Sequence, residues 1–273
     1  MRTPSVAGKF YPSKVNELMK EINSCFVHHL GPGKLPSNKI LERDIVGAVV
    51  PHAGYMYSGP EAAHVYYALS NQKKPVVVIA LGPNHTGLGG IIATSNDVWK
   101  TPLGEVKVEG QIVDKFCKEC SLIDIDEDAH RFEHSIEVQL PFLQFIYGDF
   151  NFVPIVMRNQ DLETCQELAK CIAIDQSLIL ASSDFSHYEE KNVAFEKDKK
   201  VMKCLLAMDE KKFIQTVNDL DVSVCGYGPI AVCLSASKML GATKCEILKY
   251  GSSGDITGDD SSVVAYSAIL FRR

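Results

Sequence analysis

Three short apolar segments that end in polar side chains constrain the fold of this chain more than any other feature. The segments cover residues 45–50, 75–81 and 178–181. Each is short and unbroken, which is typical of strands buried on both faces of a sheet. The polar residues that follow them are His52, His85, Asp184 and His187. Because ligands bind beyond the carboxyl ends of strands in open α/β sheets, we expect these four side chains to meet at one edge.

Strand and helix patterns alternate along the whole chain, without a repeat, a low-complexity tract or an interdomain linker. This order predicts a single layered α/β domain over residues 1–273. A chain of 273 residues, of which 46% are hydrophobic, is long enough to bury a large core.

The composition argues against several classes of protein. The net charge of −6 and the lack of a basic stripe argue against nucleic-acid binding. No apolar segment is long enough to cross a membrane. The amino-terminal residues lack the apolar stretch of a signal peptide, and nine cysteines are scattered along the chain. We therefore expect a cytoplasmic protein with reduced thiols.

Two cysteine positions stand out from the rest. Cys117 and Cys120 form a Cys-x-x-Cys pair, but a single pair is weak support for zinc or redox chemistry, and packing in a predicted helix is the simpler interpretation. Cys225 precedes a predicted helix, where backbone N–H groups and the helix dipole favour a thiolate. A thiolate is a metal ligand, and a buried structural cysteine is the alternative.

A polar segment in the middle of the chain gives a further candidate group. His130, Glu133, His134 and Glu137 precede apolar residues at helical spacing, which predicts a helix that places the two glutamates on one face. Such clusters occur in metal sites and acid/base sites. The alternative is a polar helix face, and the spacing does not decide between them.

Five motifs, taken in chain order, resemble the motif series of the Memo family. They are Pro51-His52-Ala53-Gly54-Tyr55, Gly82-Pro83-Asn84-His85, Glu133-His134-Ser135-Ile136-Glu137, Ser182-Ser183-Asp184-Phe185-Ser186-His187 and Cys225-Gly226-Tyr227-Gly228-Pro229. Residues 7–12 and 253–255 fit the same pattern. The resemblance covers essentially the whole chain, and the motifs are specific as a set.

That family is similar in fold to the class III extradiol ring-cleaving dioxygenases. The resemblance therefore implies a mixed, mostly parallel central β-sheet flanked by helices. It also implies that the metal ligands are His52, His85 and Cys225. The catalytic residues would be His187, in the place of the dioxygenases' acid/base histidine, with Asp184 and Cys225. The same motifs contain four residues that we expect to line the pocket: Tyr55, Asn84, Glu133 and His134.

The expected ligand set also bears on the metal. Oxygen-activating iron sites normally use two histidines and one carboxylate. A thiolate at Cys225 is softer and favours copper(I), zinc or iron in an altered redox state, whereas Asp184 is the alternative source of a carboxylate. The resemblance implies iron(II) as the cofactor, with copper or zinc as alternatives.

Three functions remain open at this point. The first is a redox-active metalloprotein, such as an iron-dependent oxygenase. The second is a hydrolase, with a catalytic zinc ion or with Cys225 as nucleophile and His187 and Asp184 as base and orienter. The third is a non-catalytic module that binds a small-molecule or peptide ligand in a dioxygenase-like pocket.

Overall fold

Strands and helices alternate along the chain, as the sequence pattern predicts. The computed structural model describes residues 1–37 and 40–273. The strands are β1 (Ile45–Val50), β2 (Val77–Pro83), β3 (Ile92–Thr94), β4 (Trp99–Thr101), β5 (Gly104–Val106), β6 (Asp124–Ile125), β7 (Phe152–Met157), β8 (Ser177–Ser182), β9 (His187–Glu189), β10 (Lys244–Ser252) and β11 (Val263–Arg272). The α-helices are α1 (Val15–Val27), α2 (Tyr55–Ser70), α3 (Gly110–Glu119), α4 (Glu127–His130), α5 (Leu140–Tyr147), α6 (Leu162–Ile172), α7 (Lys191–Leu206), α8 (Glu210–Asp219), α9 (Tyr227–Met239) and α10 (Gly254–Thr257), and a 3₁₀ helix spans Glu137–Gln139. None of the helices in the described residues has the length and apolar character that crossing a bilayer requires.

The large sheet has a parallel centre and antiparallel flanks. Its strand order is β10-β11-β1-β8-β2-β7-β3-β6, and β9 pairs with β11. Strands β1, β8, β2 and β7 are parallel neighbours, whereas β11 runs antiparallel to β1 and β3 runs antiparallel to β7. Strands β4 and β5 form a separate hairpin. The predicted α/β fold, with a mixed, mostly parallel central sheet flanked by helices, is confirmed.

Alternate residues of the central strands pack on opposite faces of the sheet. Val77, Ile79 and Leu81 of β2 belong to the hydrophobic cluster shared with α6, α8 and α9. Val78 and Ala80 belong to the cluster shared with α1, α2 and α5. All residues of β1, β2, β7 and β8 are buried. Because helices cover both faces of the sheet, every side chain of these strands faces a hydrophobic cluster. Their sequences are therefore continuously apolar instead of alternating between apolar and polar residues.

The segment before α5 does not form the continuous helix that its apolar spacing predicts. After α4 the chain runs irregularly until the 3₁₀ helix and α5. The Glu133 carboxylate accepts hydrogen bonds from the backbone N–H groups of His134 and Ser135 at 2.9 and 2.8 Å, which favours a turn over a helix. Pro141 lies at the start of α5, where its missing N–H costs no helical hydrogen bond. The polar side chains of this segment therefore do not share one helical face.

Candidate functional site

A cavity of about 850 Å³ opens where the parallel central strands end. Because β8 lies between β1 and β2, the loops that follow these three strands are neighbours. The predicted site residues that line the cavity are His52, His85, His134, Asp184, His187 and Cys225. Residues far apart in the sequence thus share one cavity.

Three histidines form a cluster in this cavity. His52, His85 and His134 each offer a ring nitrogen, and these nitrogens all lie within 4.8 Å of one another. The ring centroids of His52 and His85 are 5.1 Å apart, and those of His85 and His134 are 4.8 Å apart with an interplanar angle of 22°. Imidazoles suit zinc, copper, iron and nickel, so a cluster of this kind is compatible with metal binding. His134, expected to line the pocket and included in the polar group of residues 130–137, lies beside two of the expected ligands.

Hydrogen bonds fix the tautomer of His52. Its Nδ1 lies 2.9 Å from the Oγ of Ser182. The Ser182 hydroxyl donates its own proton to the carbonyl of Ser135 at 2.6 Å, so its oxygen accepts from the imidazole. We therefore assign the proton of the neutral ring to Nδ1, which leaves a free lone pair on Nε2. Burial lowers the pKa of His52 well below its usual value, which favours the neutral form that a metal ligand needs.

An ionised carboxylate orients His85. The Nδ1 of His85 lies 2.9 Å from the Oε1 of Glu133, and the His85 backbone N–H donates to the Oε2 of the same side chain. Burial alone would raise the pKa of Glu133, but the hydrogen bond and charge of His85, together with His134 and the N–H of Ser135, lower it to about 2. An ionised carboxylate only accepts, so we assign the His85 proton to Nδ1 and the lone pair to Nε2. Carboxylates behind metal-binding histidines are common in metal sites.

His187 lines the cavity without belonging to the histidine cluster. Its backbone N–H donates to the Oγ of Ser223 at 2.7 Å, and its Nδ1 lies 2.8 Å from the Ser223 carbonyl oxygen. A carbonyl only accepts, so Nδ1 carries the proton and Nε2 carries the lone pair. This leaves His187 with one unprotonated ring nitrogen for proton transfer.

The thiol of Cys225 lies against His52. Its Sγ is 3.2 Å from the Nε2 of His52 and accepts a hydrogen bond from the backbone N–H of Asp184 at 3.3 Å. Burial and the charge of Asp184 raise the pKa of the thiol. The position before a helix predicts the opposite shift, and that prediction was wrong. Cys225 lies ahead of the first turn of α9, and the helix dipole weakens rapidly with distance from that turn, so burial dominates.

Glycine at position 226 allows the Cys225 loop to approach β8. A Cβ at this position would lie 2.8 Å from the carbonyl oxygen of Ser182 and 2.8 Å from the Cβ of Ser183. Contacts this short do not occur for real side chains, so a larger residue would push the loop away from the sheet. The thiol therefore depends on this glycine for its contact with the cluster.

Asp184 supports the loop that carries His52. One of its carboxyl oxygens accepts the backbone N–H of His52 at 2.7 Å. Burial raises the pKa of this carboxyl to about 6, although the hydrogen bond from His52 acts in the opposite direction. The residue is buried and lines the cavity, so it combines a structural contact with a place beside the cluster.

Three residues predicted to line the pocket do not line the cavity. Tyr55 is buried in the first turn of α2, and its hydroxyl donates to a backbone carbonyl at 2.6 Å. Asn84 accepts the N–H of Gly87 and so shapes the loop after β2. Glu133 is buried and holds His85 through hydrogen bonds. These residues support the site from outside the cavity, a role that a sequence motif does not distinguish from lining it.

Other polar residues and thiols singled out in the sequence lie outside the cavity. Glu137 is fully buried and forms an ion pair with Arg2 at 2.7 Å. His130 is buried as well and does not line the cavity. Cys117 and Cys120 pack on the hydrophobic cluster beside α3. Of the four polar residues in the middle of the chain, His134 belongs to the histidine cluster, and Glu133 forms a hydrogen bond with His85 of that cluster.

Three further residues shape the site, although none of them was singled out in the sequence for a role there. Ser182 and Ser223 each fix the tautomer of a histidine, and Phe10 packs on the ring of His134 with the centroids 4.8 Å apart. Ser182 ends a predicted strand, which is a usable signal for a residue near the sheet edge. Ser223 and Phe10 are separated from their partner histidines by long stretches of chain, and no local pattern connects such pairs.

Comparison with known proteins places the chain among relatives of nearly the same length. The family model described as Memo-like protein matches residues 2–270. A MEMO1 family protein of Methanopyrus kandleri is 47% identical, with 100% of this chain and 99% of that protein covered. A MEMO1 family protein of Nitrosopumilus maritimus is 45% identical, with 99% of both chains covered.

A solved structure provides a comparison of the fold. The chain is similar to the crystal structure of an uncharacterized protein from Escherichia coli K12, with a TM-score of 0.50 and 14% sequence identity. The similarity covers 84% of this chain and 100% of that one, and it concerns the fold alone. The family assignment rests instead on the whole-chain model match and on relatives of nearly half identity. By these comparisons, the chain belongs to the Memo family.

Proposed function

We propose that this protein is a redox-active metalloprotein that binds non-haem iron(II) in the cavity at the sheet edge. The observation that carries this proposal is the cluster of three imidazoles with the Cys225 thiol against His52, in which the Nε2 atoms of His52 and His85 carry no proton. Nitrogen and sulfur ligands of this kind suit iron, copper and zinc. The resemblance of the Memo fold to iron-dependent dioxygenases favours iron among these metals.

The donor atoms of His52 and Cys225 have the spacing of two ligands on one metal ion. Bonds of about 2.1 Å to nitrogen and about 2.3 Å to sulfur, at angles of about 90–110°, would place the two donor atoms ~3.1–3.6 Å apart. The Nε2 of His52 and the Sγ of Cys225 are 3.2 Å apart. The proposed ligands are His52, His85 and Cys225. His134 is the additional imidazole donor, because its ring nitrogen and those of His52 and His85 all lie within 4.8 Å of one another, a group that does not include Cys225. Metal binding displaces the thiol proton, so a thiol with a raised pKa can still become a ligand.

Residues around the proposed ligands would bind substrate and move protons. When bound, iron(II) supplies one-electron redox chemistry at this position. The free Nε2 of His187 would accept a proton from a substrate in the cavity, while Ser223 keeps the ring in one orientation. Asp184 holds the His52 loop and adds a second titratable group beside it.

Anaerobic purification, elemental analysis and iron(II) titration test the proposal. We expect about one iron per chain, and an affinity at least ~10-fold lower for His52→Ala and for Cys225→Ser, because each removes a ligand. His29→Ala is the matched control, since His29 is exposed and does not line the cavity, and it should bind iron like the wild type. Oxygen uptake by the iron-loaded protein, lost in His52→Ala, tests the redox activity. Reduced protein that binds no metal stoichiometrically would contradict the proposal.

The contact between Cys225 and His52 also favours a second function, hydrolysis with the cysteine as nucleophile. In this scheme His52, instead of His187, is the neighbouring base. The raised pKa of the thiol weakens this alternative, because the thiolate is the nucleophile. A thiol-reactive probe should label Cys225 much faster than the other cysteines if the scheme holds. Equal labelling rates would count against it.

A further inference from the structure

Tyr188 combines three uncommon features at the cavity. Its φ is +58°, a left-handed conformation that residues other than glycine seldom adopt. It is 80% exposed and yet lines the cavity. Its ring lies 5.8 Å from that of His187 between centroids. An exposed aromatic residue in a strained conformation destabilises the folded state. Its presence beside the cavity therefore indicates a functional role rather than a structural one.

The strain arises from a β-bulge in β9. His187 lies opposite Val264 of β11, and Glu189 lies opposite Val263. Tyr188 is therefore the extra residue between two adjacent pairs. Bulges with a left-handed residue usually have glycine at that position. Bulges also change the direction of a side chain and are frequent beside active sites.

Contacts on both sides of Tyr188 hold the bulge in place. On one side, the backbone N–H of His187 donates to the Oγ of Ser223 at 2.7 Å. On the other side, Lys197 forms an ion pair with Glu189. The backbone at Tyr188 cannot relax to a negative φ without disturbing these contacts. The ring is thus held at the cavity by its neighbours.

Other residues with positive φ occupy a different setting. In the described part of the chain, the remaining non-glycine examples are Gln176, Met208 and Asp221. Each lies in a turn between two elements or after a helix, where a positive φ reverses the direction of the chain. Tyr188 differs from these three because it lies in a strand and presents an aromatic ring to a cavity.

We propose that Tyr188 is a specificity-determining residue that stacks on a flat conjugated group of the ligand held in this cavity. Aromatic rings favour offset-stacked and edge contacts with other π systems. Met56 is 60% exposed and lines the same cavity, so it offers the ligand a second, polarisable apolar contact. A bound ligand would cover both side chains and remove their apolar surface from water. The inference deepens the proposed function, because it concerns the ligand of the same site.

Binding of two compounds of similar outline to the metal-free protein tests the inference. The probes are 2-naphthoate, which is flat, and decahydro-2-naphthoate, which is saturated, and calorimetry measures both affinities. The wild type should prefer the flat compound by about fivefold, as expected for one aromatic contact. Tyr188→Asn should lose this preference, because asparagine tolerates positive φ but has no ring. Tyr188→Phe should keep it.

Stability measurements separate a binding role from a structural one. Thermal unfolding of Tyr188→Asn should occur at the wild-type temperature or ~2 °C above it, since the strain is relieved. Gln176→Gly is the matched control, because it relieves a positive φ in an exposed turn and should leave naphthoate binding unchanged.

Three outcomes would overturn the inference. The first is a Tyr188→Asn variant that keeps the wild-type preference for the flat compound. The second is a wild type without a preference for the flat compound, including one that binds neither. The third is an unfolding temperature for Tyr188→Asn more than ~4 °C below that of the wild type, as expected if the ring stabilised the fold. Because no metal is present in these experiments, failure of iron binding would leave this result unaffected, and the two proposals can fail separately.

Discussion

Two buried regions of this protein contain glutamates, and their surroundings shift the carboxyl pKa values in opposite directions. The loop beneath the histidine cluster holds Glu133 and Glu137, and α2 holds Glu61. Glu133 accepts hydrogen bonds from His85 and from two further backbone N–H groups. Glu137 accepts from Arg2 and from the amino-terminal residues. Neither oxygen of Glu61 accepts a hydrogen bond from another described residue.

The difference shows that partners, rather than burial, decide the sign of a pKa shift. Burial alone would raise the pKa of all three carboxyls. In Glu133 the hydrogen bond of His85 outweighs burial and lowers the pKa to about 2. In Glu61 burial dominates over the weak attraction of Lys249 and raises the pKa to about 7. An ionised Glu133 only accepts hydrogen bonds, so it fixes the imidazole with its N–H toward the carboxylate. A neutral carboxylic acid also carries an O–H donor and would not fix the ring in one way.

Removing the charge of Glu137 should have the largest effect. Glu137→Gln leaves the buried guanidinium of Arg2 without a counter-charge, so we expect a loss of about 3–5 kcal/mol in the free energy of unfolding. Urea unfolding at pH 7 measures this loss. Glu17→Gln, which breaks an exposed ion pair with Lys14, should change the stability by less than ~0.5 kcal/mol. Similar small losses in both variants would show that the buried pair contributes little.

Glu61→Gln should act in the opposite direction. The pKa of Glu61 is about 7, above the usual 4.5, so its stabilising contribution is complete below 4.5 and is lost as the pH rises through 7. Glutamine does not ionise, so the variant should exceed the wild type by about 3 kcal/mol at pH 8 and resemble it near pH 4.5. Urea unfolding at both pH values gives the comparison. A pH dependence that persists unchanged in the variant would assign it to another group.

Glu133 has a pH dependence opposite to that of Glu61. The pKa of Glu133 is about 2, below the usual 4.5. Its stabilising contribution is therefore present above 4.5 and is lost as the pH falls through 2. For these two carboxyls, both stabilising contributions are therefore complete only near pH 4.5.

Glu133→Gln should weaken metal binding more than it weakens the fold. Glutamine keeps one acceptor oxygen but loses the charge that orients His85, and changes of this kind cost about 10–100-fold in metal affinity. Anaerobic titration with iron(II) measures the effect. Glu127→Gln is the control, because its carboxylate binds Ser95 and Asn96 and does not line the cavity. Equal affinities in the two variants would show that Glu133 does not contribute to metal binding.

Ser182→Ala should have the smallest effect. It removes the neutral acceptor of His52 Nδ1, and a neutral hydrogen bond contributes about 1 kcal/mol, which corresponds to about fivefold in affinity. The same iron(II) titration applies. An effect as large as that of Glu133→Gln would mean that a neutral acceptor behind His52 matters as much as the ionised acceptor behind His85.

Local features of the sequence were sufficient to predict the strands at the centre of the sheet. The segments 45–50 and 178–181 lie in β1 and β8, because strands covered on both faces leave an unbroken apolar signature. His52 and Asp184 follow these strands, and parallel pairing brings both to one edge. The position of His134 could not be derived in the same way. Its helical spacing was misleading, because hydrogen bonds to Glu133 replaced the helix with a turn.

The amino-acid sequence by itself determined the layered α/β fold, the Memo family and the points at which polar residues leave the sheet, because periodicity and motifs are local properties of a chain. Only the tertiary structure decided which buried glutamate carries a charge, which nitrogen of each histidine carries a proton, and that Tyr188 lies in a bulge at the cavity. Each of these depends on contacts between residues distant in sequence, such as His85 with Glu133 and β9 with β11. Packing creates such contacts, and no local pattern encodes them.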